Sequence, residues 1–301
     1  MKKWSLLPAL CLLVLLAACS ASGAEVDLAA EDMGIEGRAF TGEIEAPSAA
    51  PEETIRYTVD IVNWDKSATG EDGEVLVTSS LQIPELTPWR EDGTAILEPR
   101  TTQEEHAAAV AAAFNEKFKD WFVSREFQEY ADVAQEHLNS VKASGQDWWN
   151  PYSLTMVSAV YQTERLVSVS ANYSTFTGGA HPNNICLGWN FDLENGAFFD
   201  AGFLAEDGPA FLTAVKDELC RQANLPQENG YYPAMDYWEG YENTLANWSS
   251  YAVSFDSEGM TVIFSQYELA SYANGPQVFK LSYDWLRPRL SAQGLAMLGL
   301  E

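Results

Sequence analysis

From residue 54 onward the apolar residues repeatedly change period, and that succession constrains the fold more than any other feature of the sequence. Ile55 to Val62 alternates as a strand does, Val75 to Ile83 makes a second strand, and Gly70 to Gly73 marks the turn between them. Near Thr101 the period lengthens. Thr102 and Glu105 have the spacing of a capping box, Ala107 to Ala113 is a helix-forming run, and Val110, Phe114, Phe118 and Trp121 share one face. Tyr130, Ala134, Leu138 and Val141 continue the stripe after a phase slip near Ser124–Arg125, which predicts a kink or two helices before Gly145. Leu154 to Gln162 and Leu166 to Phe176 return to strand period around Glu164-Arg165, a hairpin signal, and Ile185 to Phe191 follows as another strand. A helix over Gly208 to Asn224 carries Phe211, Val215 and Leu219. Tyr251–Phe255, Met260–Phe264 and Val278–Tyr283 are then strands before a short C-terminal helix. The fold class is α+β: two small modules, each an antiparallel sheet packed against helix, over residues 54–195 and 196–301. In a chain of 301 residues, 47% hydrophobic, there is ample material for a buried core.

The N-terminus reads as an export signal. Lys2 and Lys3 precede an apolar run from Leu6 to Leu16, too short for a permanent span, which ends in Leu16-Ala17-Ala18-Cys19. Small residues followed by Cys match a bacterial lipobox, so residues 1–18 are expected to be a lipoprotein signal peptide and Cys19 the lipidated mature N-terminus. The expected location is the cell envelope, anchored to the outer side of the cytoplasmic membrane or to an outer membrane. Residues 19–53 then form an acidic tether, in which residues 20–53 hold nine acids against the single base Arg38. Cys11 leaves with the signal. Cys186 and Cys220 remain as a disulfide candidate in an oxidising compartment, with two buried free cysteines as the competing reading.

Charge narrows the partners. Of 17 Lys and Arg, two leave with the signal, so 15 stand against 44 Asp and Glu, a formal net of −29. So acidic a chain is a poor binder of nucleic acid, where Lys and Arg must neutralise phosphates. Catalytic and metal-binding patterns are also missing. The three histidines, His106, His137 and His181, have no metal-ligand spacing, and neither Gly-x-Ser-x-Gly nor His-Glu-x-x-His occurs. The reading is a non-enzyme without cofactor. Tyr231, Tyr232, Tyr237, Trp238, Tyr241, Trp248 and Tyr251 crowd one stretch, with Trp148-Trp149 elsewhere. Most are expected in the core, but exposed rings among them would suit a peptidoglycan or other glycan ligand.

Two motifs carry a resemblance. Thr177-Gly178-Gly179-Ala180-His181-Pro182-Asn183, after two strands, resembles the motif closing the first extracellular module of RsiV-type anti-sigma factors, a module that also precedes the catalytic domain of PdaC-type peptidoglycan deacetylases. Phe264-Ser-Gln-Tyr267-Glu268-Leu-Ala-Ser271-Tyr272-Ala-Asn-Gly275-Pro276 resembles the signature of the second module, with Ser271 where relatives often carry Pro. No sigma-binding segment, transmembrane helix or deacetylase domain of those proteins is read in this sequence, so the expectation is a pair of binding modules on a lipid anchor. What the resemblance implies is binding of a lysozyme-type muramidase, with Gly178, Gly179, His181, Asn183, Tyr267, Tyr272 and Gly275 as the partner-binding residues.

Overall fold

The computed structural model describes residues 54–119, 125–146, 148–225, 236–248 and 252–301. The signal segment, Cys19, the tether, Trp121, Tyr231, Tyr232 and Tyr251 lie outside the described residues. Strands β1 (Arg56–Thr69), β2 (Val75–Trp89), β3 (Tyr152–Gln162), β4 (Leu166–Phe176), β5 (Asn183–Asp192) and β6 (Ala197–Phe199) form one sheet in sequential order. Their pairs are antiparallel except β2 with β3, which run parallel. This corrects the all-antiparallel expectation. The chain between those two strands is a helical crossover, α1 (Thr102–Phe118) and α2 (Phe127–Ala143), and a crossover of that kind brings a parallel strand back alongside its predecessor. The phase slip near Ser124–Arg125 falls between the end of α1 at Phe118 and the start of α2 at Phe127, and Ser124 itself lies outside the described residues.

The helices cover one face of the sheet. Phe114 and Phe118 from α1 and Phe127 and Leu138 from α2 are fully buried against Leu81, Leu154, Met156, Val167 and Phe191. The α1 cap sits one residue earlier than expected: Thr101, not Thr102, is the N-cap and accepts from the Glu104 amide at 3.2 Å. The cause is Glu104, which is buried. Its carboxylate takes both a bidentate bond from Arg90 (Nε at 2.5 Å, Nη2 at 2.9 Å) and the Arg100 amide at 2.6 Å, fixing the first turn at that register.

The second part of the chain holds α3 (Gly208–Ala223), α4 (Tyr241–Ala246) and the antiparallel sheet β7 (Val253–Phe255), β8 (Gly259–Phe264) and β9 (Gln277–Ser282), followed by α5 (Tyr283–Leu286) and α6 (Ala292–Met297). Its core joins Phe211, Val215 and Leu219 of α3 to Met260, Val262, Phe264, Phe279 and Leu281. The two cores meet through the first sheet. Val167 lies in the first core and its neighbour Leu166 in the second, and Phe198 and Phe199 divide the same way, because successive strand side chains point to opposite faces. Since β6 pairs with β5, the first sheet runs to Phe199, past the expected boundary after residue 195.

β7 docks directly on β4 and β5. Gly188 makes this possible, since a Cβ there would meet the Val253 backbone oxygen at 2.3 Å. The outer edge of β7 is then satisfied by buried side chains of the first sheet. Ser168 Oγ accepts from the Phe255 amide at 2.7 Å and donates to Asn190 Oδ1 at 2.8 Å, and Asn190 Nδ2 donates to the Val253 carbonyl at 3.1 Å.

Cys186 and Cys220 are free thiols, which corrects the disulfide expectation. Cys186, on β5, neighbours Ser265 and Glu268, whereas Cys220, on α3, neighbours Asp217 and Glu242, so the two sit in separate surroundings. Burial, with the Glu268 charge added, pushes the Cys186 thiol up to about 11.

Candidate functional site

The two sequence motifs form a single surface. The first is the β4–β5 connection, where Gly178 and Gly179 turn the chain at φ +98° and +99°, a path costly for any residue with a Cβ, and deliver His181 two residues before β5. The second is the β8–β9 connection. There Ser265, just after β8, is buried and donates its amide to the Glu268 carboxylate, while the Glu268 amide returns a bond to the Ser265 carbonyl at 3.1 Å. Closing this turn forces Tyr267 into left-handed backbone at φ +71°, a conformation that aromatic residues seldom adopt. The loop is held from the other side too: Tyr267 N–H donates to Ala270 at 3.1 Å and Trp238 N–H to Leu269 at 2.9 Å. Ser271 has φ −64°, the value a proline ring imposes, so the departure from relatives leaves this turn intact.

His181 is the meeting point. Its ring stacks on Tyr272 at 3.8 Å between centroids and 19° between planes. Nδ1 lies 2.9 Å from the Pro182 carbonyl, which can only accept, so Nδ1 carries the proton of the neutral ring. Nε2 is then the acceptor for the Tyr267 hydroxyl at 3.0 Å. Tyr272 is fixed from the sheet, its hydroxyl accepting from Asn184 Nδ2 at 3.0 Å. The Tyr267 and Tyr272 rings lie 5.7 Å apart, and Trp238 extends the series 6.1 Å beyond Tyr267 at 32°. Trp238 and Tyr267 are each 45% exposed.

His181, Tyr267 and Tyr272, expected at a partner-binding surface, are brought together in the structure. Gly178, Gly179 and Gly275 shape the two loops. Asn183 opens β5 opposite Thr175 and stands outside the ring cluster. One contributor, Asn184, stands outside the expected site residues, and another, Trp238, was expected only as one of a crowd of aromatics. Asn184 carries no signal as an ordinary polar strand residue, and Trp238 was hidden among aromatics that are mostly structural, such as buried Trp248 and the Tyr237–Tyr241 pair packed on the second core. The other histidines serve locally. His106 bonds the Glu194 carbonyl at 3.0 Å, and His137 bonds the Tyr152 hydroxyl at 3.0 Å beside Trp149. Among the described residues no group of His, Cys, Asp or Glu is placed to hold a metal ion, and no helix is long and apolar enough to cross a membrane. Chemically the surface offers flat ring faces for stacking and a hydroxyl–imidazole pair for hydrogen bonding.

Comparison with known proteins divides the chain the same way. The family described as Deacetylase PdaC matches residues 96–184, and a protein family of unknown function, DUF3298, matches residues 203–284. No curated protein matches. Among solved structures, a DUF3298-family member from Bacteroides fragilis NCTC 9343 superposes with a TM-score of 0.54 at 15% identity, over 83% of this chain and 99% of that one, a likeness of fold. A DUF3298-family protein from Pseudomonas aeruginosa PAO1 gives a TM-score of 0.45 at 14% identity, over 79% of this chain and 95% of its own.

Proposed function

Starting from a chain that carries a PdaC-type module followed by a DUF3298 module, we propose a non-catalytic binding protein of the cell envelope, anchored through Cys19, whose ligand is a basic muramidase of the lysozyme type. The observation that carries this reading is the His181–Tyr272–Tyr267 surface. Tyr267 is kept in a left-handed backbone by its turn and pinned by its hydroxyl to His181, which fixes a half-exposed ring in place on the surface. The resemblance of the two contributing motifs to RsiV-type modules supports the ligand class. Charge is a second support. A strongly acidic chain, net −27 over the full sequence, attracts a basic enzyme and raises its association rate.

Calorimetry with C-type and bacterial-type lysozymes tests the proposal. Binding is expected, with association slowing as the Debye length shrinks from about 10 Å at 0.1 M salt to about 3 Å at 1 M. Absence of heat or complex with either enzyme overturns it. A second reading, stacking on a neutral glycan, is favoured by one observation: Trp238 and Tyr267 are both half exposed and lie within 32° of parallel. Retention on insoluble peptidoglycan, insensitive to salt, is the outcome that would select it.

A further inference from the structure

The second module covers only part of the sheet face opposite α1 and α2, and the uncovered part has an unusual chemistry. One cross-strand row runs Asp65, Ser80, Thr155, Ser174, Asn184 through five paired strands. At about 4.8 Å between strands it is roughly 19 Å long. These residues are exposed or half-buried, while the alternate residues Ser79, Leu154 and Tyr173 are buried beneath the helices. The flanking row of Ser67, Thr78, Ser153 and Phe176 and the pair Val157–Asn172 are likewise exposed or half-buried, and polar apart from Phe176 and Val157. Across these rows Asp65, at the far edge, is the one charged side chain. The row ends against the site already described, because Asn184 donates to the Tyr272 hydroxyl.

A solvent-facing sheet surface in a chain that is 20% charged and so acidic would ordinarily carry Lys and Glu. Here hydroxyls and amides repeat at strand spacing, close to the repeat of a hexopyranose along an extended chain. A basic protein finds almost nothing to pair with on such a face. A second copy of this chain finds little apolar surface beyond Val157 and Phe176. A peptide strand would add at a sheet edge, not on its face. Neutral complementarity singles out a neutral polyhydroxyl ligand. We infer that this face holds a neutral glycan strand laid across β2 to β5 and ending on the rings of Tyr272, Tyr267 and Trp238. The inference rests on the glycan reading and extends it from a stacking point to a multi-unit track.

The test is calorimetry of the full chain with a neutral N-acetylglucosamine hexamer and dimer, alongside wild type, Thr155→Glu, Thr155→Val and Trp238→Ala, with circular dichroism on each. The expected result is that the hexamer binds at least about tenfold more tightly than the dimer. Thr155→Glu should weaken it about tenfold or more by burying a carboxylate under the ligand. Thr155→Val, which keeps the shape and strand preference, should weaken it about two- to tenfold, the worth of one hydrogen bond. If the hexamer binds and only Trp238→Ala weakens it, the track is overturned while the stacking reading stands. If no oligomer binds at millimolar concentration, both fall. If the hexamer acts only by displacing a self-associated form detected by light scattering, the face is a contact between copies and the inference is overturned.

Discussion

The Val253 carbonyl passes so close to residue 188 that only Gly188 fits beneath it; the Cβ of any other residue would sit 2.3 Å from that oxygen. Gly188→Ala is therefore expected to push β7 off β5. The cost should be about 1–3 kcal/mol or more in urea unfolding, the range for overpacking a site that cannot give. A stability equal to wild type would mean that the two sheets do not dock this closely in solution.

Ser168 completes the same junction by satisfying the buried Phe255 amide. Ser168→Ala leaves that N–H without its partner and Asn190 without its donor, an expected loss of about 1–3 kcal/mol. The corresponding change at exposed Ser80 should fall within about 0.5 kcal/mol of wild type, so the pair of variants separates a buried bond from mere loss of a hydroxyl.

Tyr267 separates folding from presentation. Tyr267→Gly relieves the left-handed backbone, whereas Tyr267→Ala keeps the strain and loses the ring. Thermal melts should place the Gly variant about 0.4–1 kcal/mol above the Ala variant. Both should lose muramidase binding equally. Equal stability of the two would contradict the strain seen at φ +71°.

The buried pair at the start of α1 gives a pH dependence. The hydrogen bond from Arg90 holds the Glu104 carboxyl below its ordinary value of 4.5. A carboxylate depressed in the folded state contributes stability that is fully present above 4.5 and is lost as pH falls through the lowered folded value. Urea titrations from pH 7 to pH 3 should therefore show a shallower decline for Glu104→Gln than for wild type, the variant starting lower at pH 7. Parallel curves would show that the pair carries no linkage.

Cys186, its thiol raised to about 11 by burial, holds almost no thiolate at neutral pH and should resist thiol reagents in the folded protein. In a chain beginning after Cys19, denaturant without reductant should release two reactive thiols, Cys186 and Cys220. Finding none would restore the disulfide.

Strand and helix positions were legible because local periodicity reports burial. Gly178-Gly179 was legible because adjacent glycines before Pro announce a left-handed path, which φ +98° and +99° realise. The meeting of His181 with Tyr267 across 86 residues was not, since each motif is local and the loops meet through tertiary contacts, β7 docking on β5 and the Cys186 amide donating to Ser265 Oγ. Thr101 outcompeted Thr102 as cap through a long-range partner, Arg90, that no local spacing contains. The parallel pairing of β2 with β3 and the separation of Cys186 from Cys220 depend likewise on tertiary path. Asn184 reads as any polar strand residue until Tyr272 is set beside it.

Consecutive residues that look into different cores, Leu166 with Val167 and Phe198 with Phe199, mean that the junction between the two family matches is not a hinge where the gene could be cut. A fragment ending at β6 would turn Tyr161, Leu166 and Phe199 toward water and invite aggregation, and one beginning after it would leave the edge of β7 with bare backbone groups. The described chain from β1 to α6 should melt in a single calorimetric transition. A ligand captured on the second module's loops would then raise the thermal resistance of the first module's helices as much as its own.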